Sequence, residues 1–262
     1  MTLSDQDLSD LQYAKSLLEN GSLTIRIANA VGTPIDKLFG LLPQGASDLI
    51  RAATTKALET GLRFALTTLG ERHHRSTEWL HKAAVTLTGA AGGAFGLAAL
   101  GVELPVSTVI MLRSIADIAR SEGEPIKTPT GKLACLEVFA FGGRQRGDAA
   151  AESSYFAVRA VLARTLAEAA EYITERGIAK EGAPVLLRFV SQIAARFGIP
   201  VSEKVMAQSV PVVGAAGGAV LNALFIDYFQ DVARGHFIVR RLERGYGAEV
   251  VRNAYLALPL AP

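Results

Sequence analysis

The six-residue phrase GAAGGA occurs twice, at 89–94 and at 214–219, each time inside a long run with no charged residue. No other feature constrains the fold as strongly. A glycine in a helix interior costs roughly 1 kcal/mol relative to alanine, so Gly89, Gly92, Gly93 and Gly96 together cost roughly 4 kcal/mol. That is a large share of a domain's net stability. At 100° per residue these glycines fall within an arc of about 100°, and Gly214, Gly217 and Gly218 fall on a similar one. Gly89/Gly93, Gly92/Gly96 and Gly214/Gly218 have the G-x-x-x-G spacing of closely packed helices. The expected compensation is a close backbone approach that a side chain would block.

The two uncharged runs, 83–102 and 205–226, are long enough to cross a bilayer's hydrocarbon core, which needs about 20 residues. Their quality is poor. The first is rich in Ala and Gly, and the second holds Gln208, Ser209, Pro211 and Asn222. Basic residues flank both on both sides, among them Arg75, Lys82 and Arg113, then Arg196, Lys204 and Arg234. The lysine and arginine bias that orients a spanning helix is therefore missing. Two readings stand: a soluble core packed through glycine, or a helical hairpin dipping into a membrane. A phosphate-cradling loop is disfavoured, because no strand precedes either copy and no G-x-G-x-x-G or GK[ST] pattern is present.

Helix signals fill the rest of the chain. Periodicity, caps and breakers predict helices over 4–21, 22–43 (broken near Gly32 and Pro34), 45–70, 76–102, 105–122, 149–176, 182–197, 201–209 and 211–245. A short apolar element, 133–141, lies between loops at 125–132 and 142–148. No segment alternates like a half-buried strand. The expected fold is all-α: a multi-helix bundle with two glycine-striped apolar helices at its centre. It forms a single domain over 1–262, with 142–148 as the best candidate boundary. Pro105 is expected to make a tight corner. Leu104 before it is pushed from the helical region, and Pro105 itself suits the first turn of the next helix. Glu103 stands at that corner. The nearby charges read either as a surface row of Arg113, Asp117 and Arg120, or as Glu103 or Arg113 buried and paired across helices, since a buried unpaired charge is very costly.

Composition narrows the function classes. A net charge of +2 gives no bulk electrostatic footprint for nucleic acid. The single cysteine, Cys135, can form no internal disulfide. The opening MTLSDQDLSDLQYAKSLLENG has four acidic residues and one lysine, unlike the basic start and apolar run of a secretory signal. The expected location is the cytoplasm, or the inner face of the cell membrane.

Chemistry is sparse. In HHRSTEWLH (73–81), His74, Glu78 and His81 share one helix face and would suit zinc in a metal-dependent hydrolase. The alternative is a polar face beside Trp79. The H-E-x-x-H pattern is absent, and His236 is a further ligand by residue type alone. There is no nucleophile elbow, Cys135 has no recognisable His partner, and acid pairs such as Asp227/Asp231 are common on helices. The sequence names no catalytic residue and no cofactor, and a non-enzyme is favoured. Residues 233–244 hold four arginines, one histidine and one glutamate. They read as a basic face on anionic lipid or as a solvated helix end complementing its dipole.

Several phrases together resemble the EcsC protein family of bacteria. They are the glycines at 89–93, ELPVSTVIMLRSIADIARSEGE (103–124), EVFAFGG (137–143), YFAVRAVL (155–162), and the long run from RFGIPVSEK to RRLERGYG (196–247). The resemblance covers about 83–255. Its polar motif positions here are Glu103, Arg113, Asn222, His236, Arg240, Arg241 and Glu243. The family takes its name from a protein encoded beside the ATPase and permease of an ATP-binding cassette transporter. The resemblance therefore implies transport- or membrane-associated work, with the inner-membrane lipid surface or transporter subunits as partners, and it brings no catalytic residues. The leading expectation is a non-enzymatic, membrane-associated helical accessory or scaffold protein. The alternatives are a soluble helical protein-binding module and the His/Glu hydrolase.

Overall fold

A computed structural model describes residues 3–19, 23–32, 45–69, 96–142, 154–177, 183–208 and 214–259. Among these there are nine helices and no strand: α1 (Asp5–Glu19), α2 (Leu23–Val31), α3 (Ala46–Thr68), α4 (Gly96–Ser121), α5 (Pro129–Phe141), α6 (Ser154–Arg176), α7 (Pro184–Gln208), α8 (Gly214–Tyr246) and α9 (Ala248–Ala257). The fold is all-α, as the periodicity requires. The first glycine phrase with Gly89, Gly92 and Gly93, the set His74, Glu78 and His81, and loop residues 143–148 lie outside the described residues.

The bundle is organised around α5. Every side chain from Leu133 to Phe141 is buried, Glu137 included. A helix apolar on all sides has no solvent face to offer, so it must be surrounded. Helices α3, α4, α6, α7 and α8 all pack on it. Phe139 is its main anchor, with ring centroids 4.8 Å from Phe197 of α7 and 5.3 Å from Phe229 of α8. Phe225 extends this cluster along α8. Its start is set by Thr128, whose hydroxyl accepts from the Gly131 N–H (3.1 Å) and donates to the Pro125 carbonyl (2.8 Å), with Pro129 at the first helical position. The helix thus begins one turn before the sequence reading ended its loop.

The corner expected at Pro105 and the break expected between 197 and 201 do not exist. Helix α4 runs unbroken through Pro105, with Leu104 helical and fully buried, and α7 runs unbroken through Pro200. An interior proline loses one backbone hydrogen bond and crowds the preceding turn. Tertiary contact overrides that local preference here. Leu104 and Val201 are fully buried, and an ion pair joins Glu103, just before Pro105, to Lys204, one turn beyond Pro200.

Helices α4 and α8 run in the same direction. The Gln230 amide donates to Ser114 Oγ (2.8 Å), and ten residues further along each chain segment Arg240 meets Glu124, just past the end of α4. Their starts, Gly96 and Gly214, therefore lie toward one end of the bundle.

Among the described residues, close approaches at glycine occur at three positions outside the repeated phrase. A Cβ on Gly235 would lie 2.7 Å from Leu18 Cγ and 3.0 Å from the Ala14 carbonyl oxygen. This is where α1 presses onto α8. A Cβ on Gly142 would lie 2.7 Å from the Phe229 ring, and one on Gly131 would strike the Pro125 carbonyl. At Gly218, no described residue outside its own helix backbone comes within 4 Å. The described residues thus give Gly218 no close partner to offset its helix penalty.

Candidate functional site

The densest polar chemistry lies where α5, α6 and the C-terminal half of α8 meet the turn after α4. Helix α4 ends at Gly123, whose φ of 71° needs no Cβ, and the Glu124 N–H returns to the Ala119 carbonyl (2.9 Å). This turn drives the Glu124 side chain inward, where it is almost fully buried. Arg240 donates to it through Nε (3.1 Å) and Nη2 (2.5 Å), and Arg244 adds a further hydrogen bond. Paired guanidinium donors in a plane suit a carboxylate well.

On α8, His236, Arg240 and Glu243 recur at four- and three-residue spacing and so share one face. Glu243 accepts two hydrogen bonds from Arg159 of α6, at 2.7 and 2.9 Å. One turn before Arg159, the Tyr155 hydroxyl lies 2.9 Å from His236 Nδ1. The imidazole is fully buried, and its Nε2 sits 3.9 Å from Glu137 Oε2 with no hydrogen-bond partner. Burial, reinforced by the nearby Arg159 and Arg240 charges, holds His236 well below the usual imidazole range, so the ring is neutral. Burial pushes the Glu137 carboxyl up to about 7, despite the opposing pull of the same two arginines. Burial also raises the Tyr155 phenol, which keeps its proton. Cys135, on the same helix as Glu137, is pushed up to about 12 by burial and has no nucleophilic character.

The neighbouring face of α8 closes onto the N-terminal helix. Arg241 donates to Asp10 of α1 (2.6 Å), and its Nε lies 2.9 Å from Glu122 as an ion contact rather than an aligned hydrogen bond. Arg234 pairs with Asp231, which also accepts from Arg26 of α2. Every arginine in 233–244 is thus engaged by a carboxylate of the same chain. This corrects both readings of that stretch. It is neither a free basic face nor a plain solvated helix end, because Arg240, Arg241 and Arg244 fasten α1 and the turn after α4 to α8, while Arg26 and Arg159 reach in from α2 and α6.

A second polar feature stands apart. Glu103 accepts from Lys204 Nζ at 2.6 Å, and the Lys204 side chain is only 1% exposed. The ammonium also lies 5.2 Å from the Phe225 ring centroid. Glu103 is therefore paired across helices. The surface row exists as well, in the exposed Asp117–Arg120 pair. Arg113 is half-buried, and the buried Asn222 Oδ1 has no hydrogen-bond partner among the described residues. Of the motif residues, the structure gathers His236, Arg240, Arg241 and Glu243 into one network and leaves Glu103 and Asn222 nearer the other end of the bundle.

Sequence reasoning missed Glu124, Glu137, Tyr155, Arg159 and Lys204 as site residues. The signal for two of them was present: Glu137 is the lone charge in LACLEVFAF (133–141), and Tyr155 opens YFAVRAVL. A single carboxylate in an otherwise apolar helix is a candidate buried acid. Among the described residues, no three His, Cys, Asp or Glu side chains gather as a metal site.

An all-helical bundle wrapped on a buried apolar helix, with the motif arginines of α8 spent on internal carboxylates, is the class the geometry defines. The chain belongs to the EcsC protein family, whose model matches residues 17–242. The match begins well upstream of 83, so it takes in the last residues of α1 and all of α2 and α3, which the quoted phrases did not include. No curated protein and no solved structure matches the chain.

Proposed function

We propose that this protein is a non-enzymatic helical accessory or scaffold that contacts the inner membrane face through one apolar end of its bundle, in the service of an ABC-type transport complex. The observation that carries this is the Glu103–Lys204 pair. Glu103 is the residue immediately after the uncharged run 83–102, and Lys204 is the residue immediately before the run 205–226. The charges that bracket both runs neutralise each other at one point, which lowers the cost of bringing that end against lipid. Val102 and Val220, one from each run, are 61% and 51% exposed. The transport assignment rests on the family alone.

Two features favour shallow apolar contact over the other modes. The arginines of 233–244 are occupied, so electrostatic attachment has little free charge to draw on. By length and composition, one described helix could cross a membrane, α7; it holds Phe189 and Phe197 in the core.

Fractionation of cells expressing the untagged protein tests the proposal. Recovery in the membrane pellet through a high-salt wash is expected. Recovery wholly in the soluble fraction would refute it and leave the soluble protein-binding module as the reading to pursue.

A further inference from the structure

The buried junction of α5, α6 and α8 contains one carboxyl group with no cation of its own. The groups facing Glu137 are Tyr155 and Arg159 from α6, His236, Arg240 and Glu243 from α8, and Glu124 from the turn after α4. No charged group of α3, α4 or α7 is among those that act on it. Both arginines are committed elsewhere, Arg159 to Glu243 through two hydrogen bonds and Arg240 to Glu124 through two more. The only ion contact of Glu137 among the described residues is with the neutral imidazole of His236, at 3.9 Å. A buried carboxylate without a counter-charge is very costly, and so is a buried ring nitrogen without a partner. Tyr155 fixes one nitrogen of His236 and leaves the other aimed at Glu137. One added proton answers both needs, removing the charge and letting the two groups close to hydrogen-bonding distance.

We propose that Glu137 and His236 form a proton-binding site inside the bundle, holding one proton between them on the carboxyl of Glu137 and losing it as the surroundings become alkaline. The site ties α5 to α8, so its occupancy sets how firmly the central helix is held.

The linkage has a definite sign. Glu137 keeps its proton in the folded chain up to about 7, whereas the unfolded chain releases it near the ordinary 4.5. Its contribution to stability is complete below 4.5 and is lost as pH rises through 7. His236 is held well below its ordinary 6.5, so its contribution is present above 6.5 and is lost as pH falls. Between 4.5 and 6.5 the two nearly offset, because the folded chain carries its proton on Glu137 and the unfolded chain carries one on His236. The pair therefore contributes a plateau of stability there and a decline on either side.

Two measurements on the full chain decide the matter. The folding equilibrium constant of the wild type relative to E137Q is expected to fall about tenfold between pH 6 and pH 8; a ratio unchanged over that range would overturn the proposal. Carboxyl-carbon NMR of the wild type labelled at glutamate is expected to show one buried glutamate titrating near neutrality. Glu203, also raised by burial, is identified by running the same spectrum on E203Q. If no glutamate other than Glu203 retains a proton at pH 6, the proposal fails, whether or not E137Q folds.

Discussion

The two halves of α8 obey different rules. From Arg234 to Arg244, every arginine meets a carboxylate of another element or of its own helix, and Gly235 admits α1 to contact distance. From Gly214 to Ile226 the helix carries no charge, Gly218 has no close described partner, and Val220 stands half in solvent. One half is a lattice of ion pairs, which is what holds a fold together, with His236 Nε2 left for Glu137. The other leaves Val220 open to solvent, and α4 exposes Val102. The motif arginines and Glu243 in the first half are explained by stability; the proposed contact with lipid is located in the second.

The contrast can be broken most violently at the satisfied end. E124A removes the carboxylate that Arg240 and Arg244 share and leaves buried guanidinium behind. A loss of about 3–5 kcal/mol is expected by chemical denaturation. K204M is expected to cost a similar amount by stranding Glu103. The double change E103Q/K204M should recover most of it, because replacing a buried pair is far less costly than breaking one. G235A forces Leu18 and the α1 backbone away and is expected to lose about 1–3 kcal/mol. G218A removes a helix penalty where a Cβ meets nothing described, and is expected to gain up to about 1 kcal/mol. Opposite signs for two alanines in one helix would establish the difference between its halves. The smallest effect on stability, within about 0.5 kcal/mol, is expected for V102S and V220S, since both side chains are largely outside the packed core.

The helical class, most element spans and the family were legible in the sequence, because 3.6-residue periodicity and fixed phrases are local signals. The corner at Pro105 and the break between 197 and 201 were misread. A proline's penalty is local, whereas what overrides it, burial of Leu104 and Val201 and the pairing of Glu103 with Lys204, comes from residues about a hundred positions apart. The buried centre that the described residues show was not legible for a related reason. Glycine spacing drew attention to 89–96 and 214–218, yet the helix buried on every side is the short apolar run 133–141. Among the described glycines, those with the tightest contacts, Gly131, Gly142 and Gly235, stand outside any G-x-x-x-G pair of the repeated phrase. The arginine run was legible as charge but not as purpose, because its partners Asp10, Glu122 and Glu124 are set by topology.

Flotation of the purified protein with lipid vesicles tests the central claim most directly. Neutral vesicles, anionic vesicles and the V102D/V220D double variant are compared at low and high salt. The account expects the wild type to float with both kinds of vesicle and to stay bound in high salt, because the contact is apolar and the arginines are occupied. It expects V102D/V220D, folded but charged at that end, to remain at the bottom. A wild type that floats with neither kind of vesicle, or only with anionic vesicles until salt is added, would contradict it.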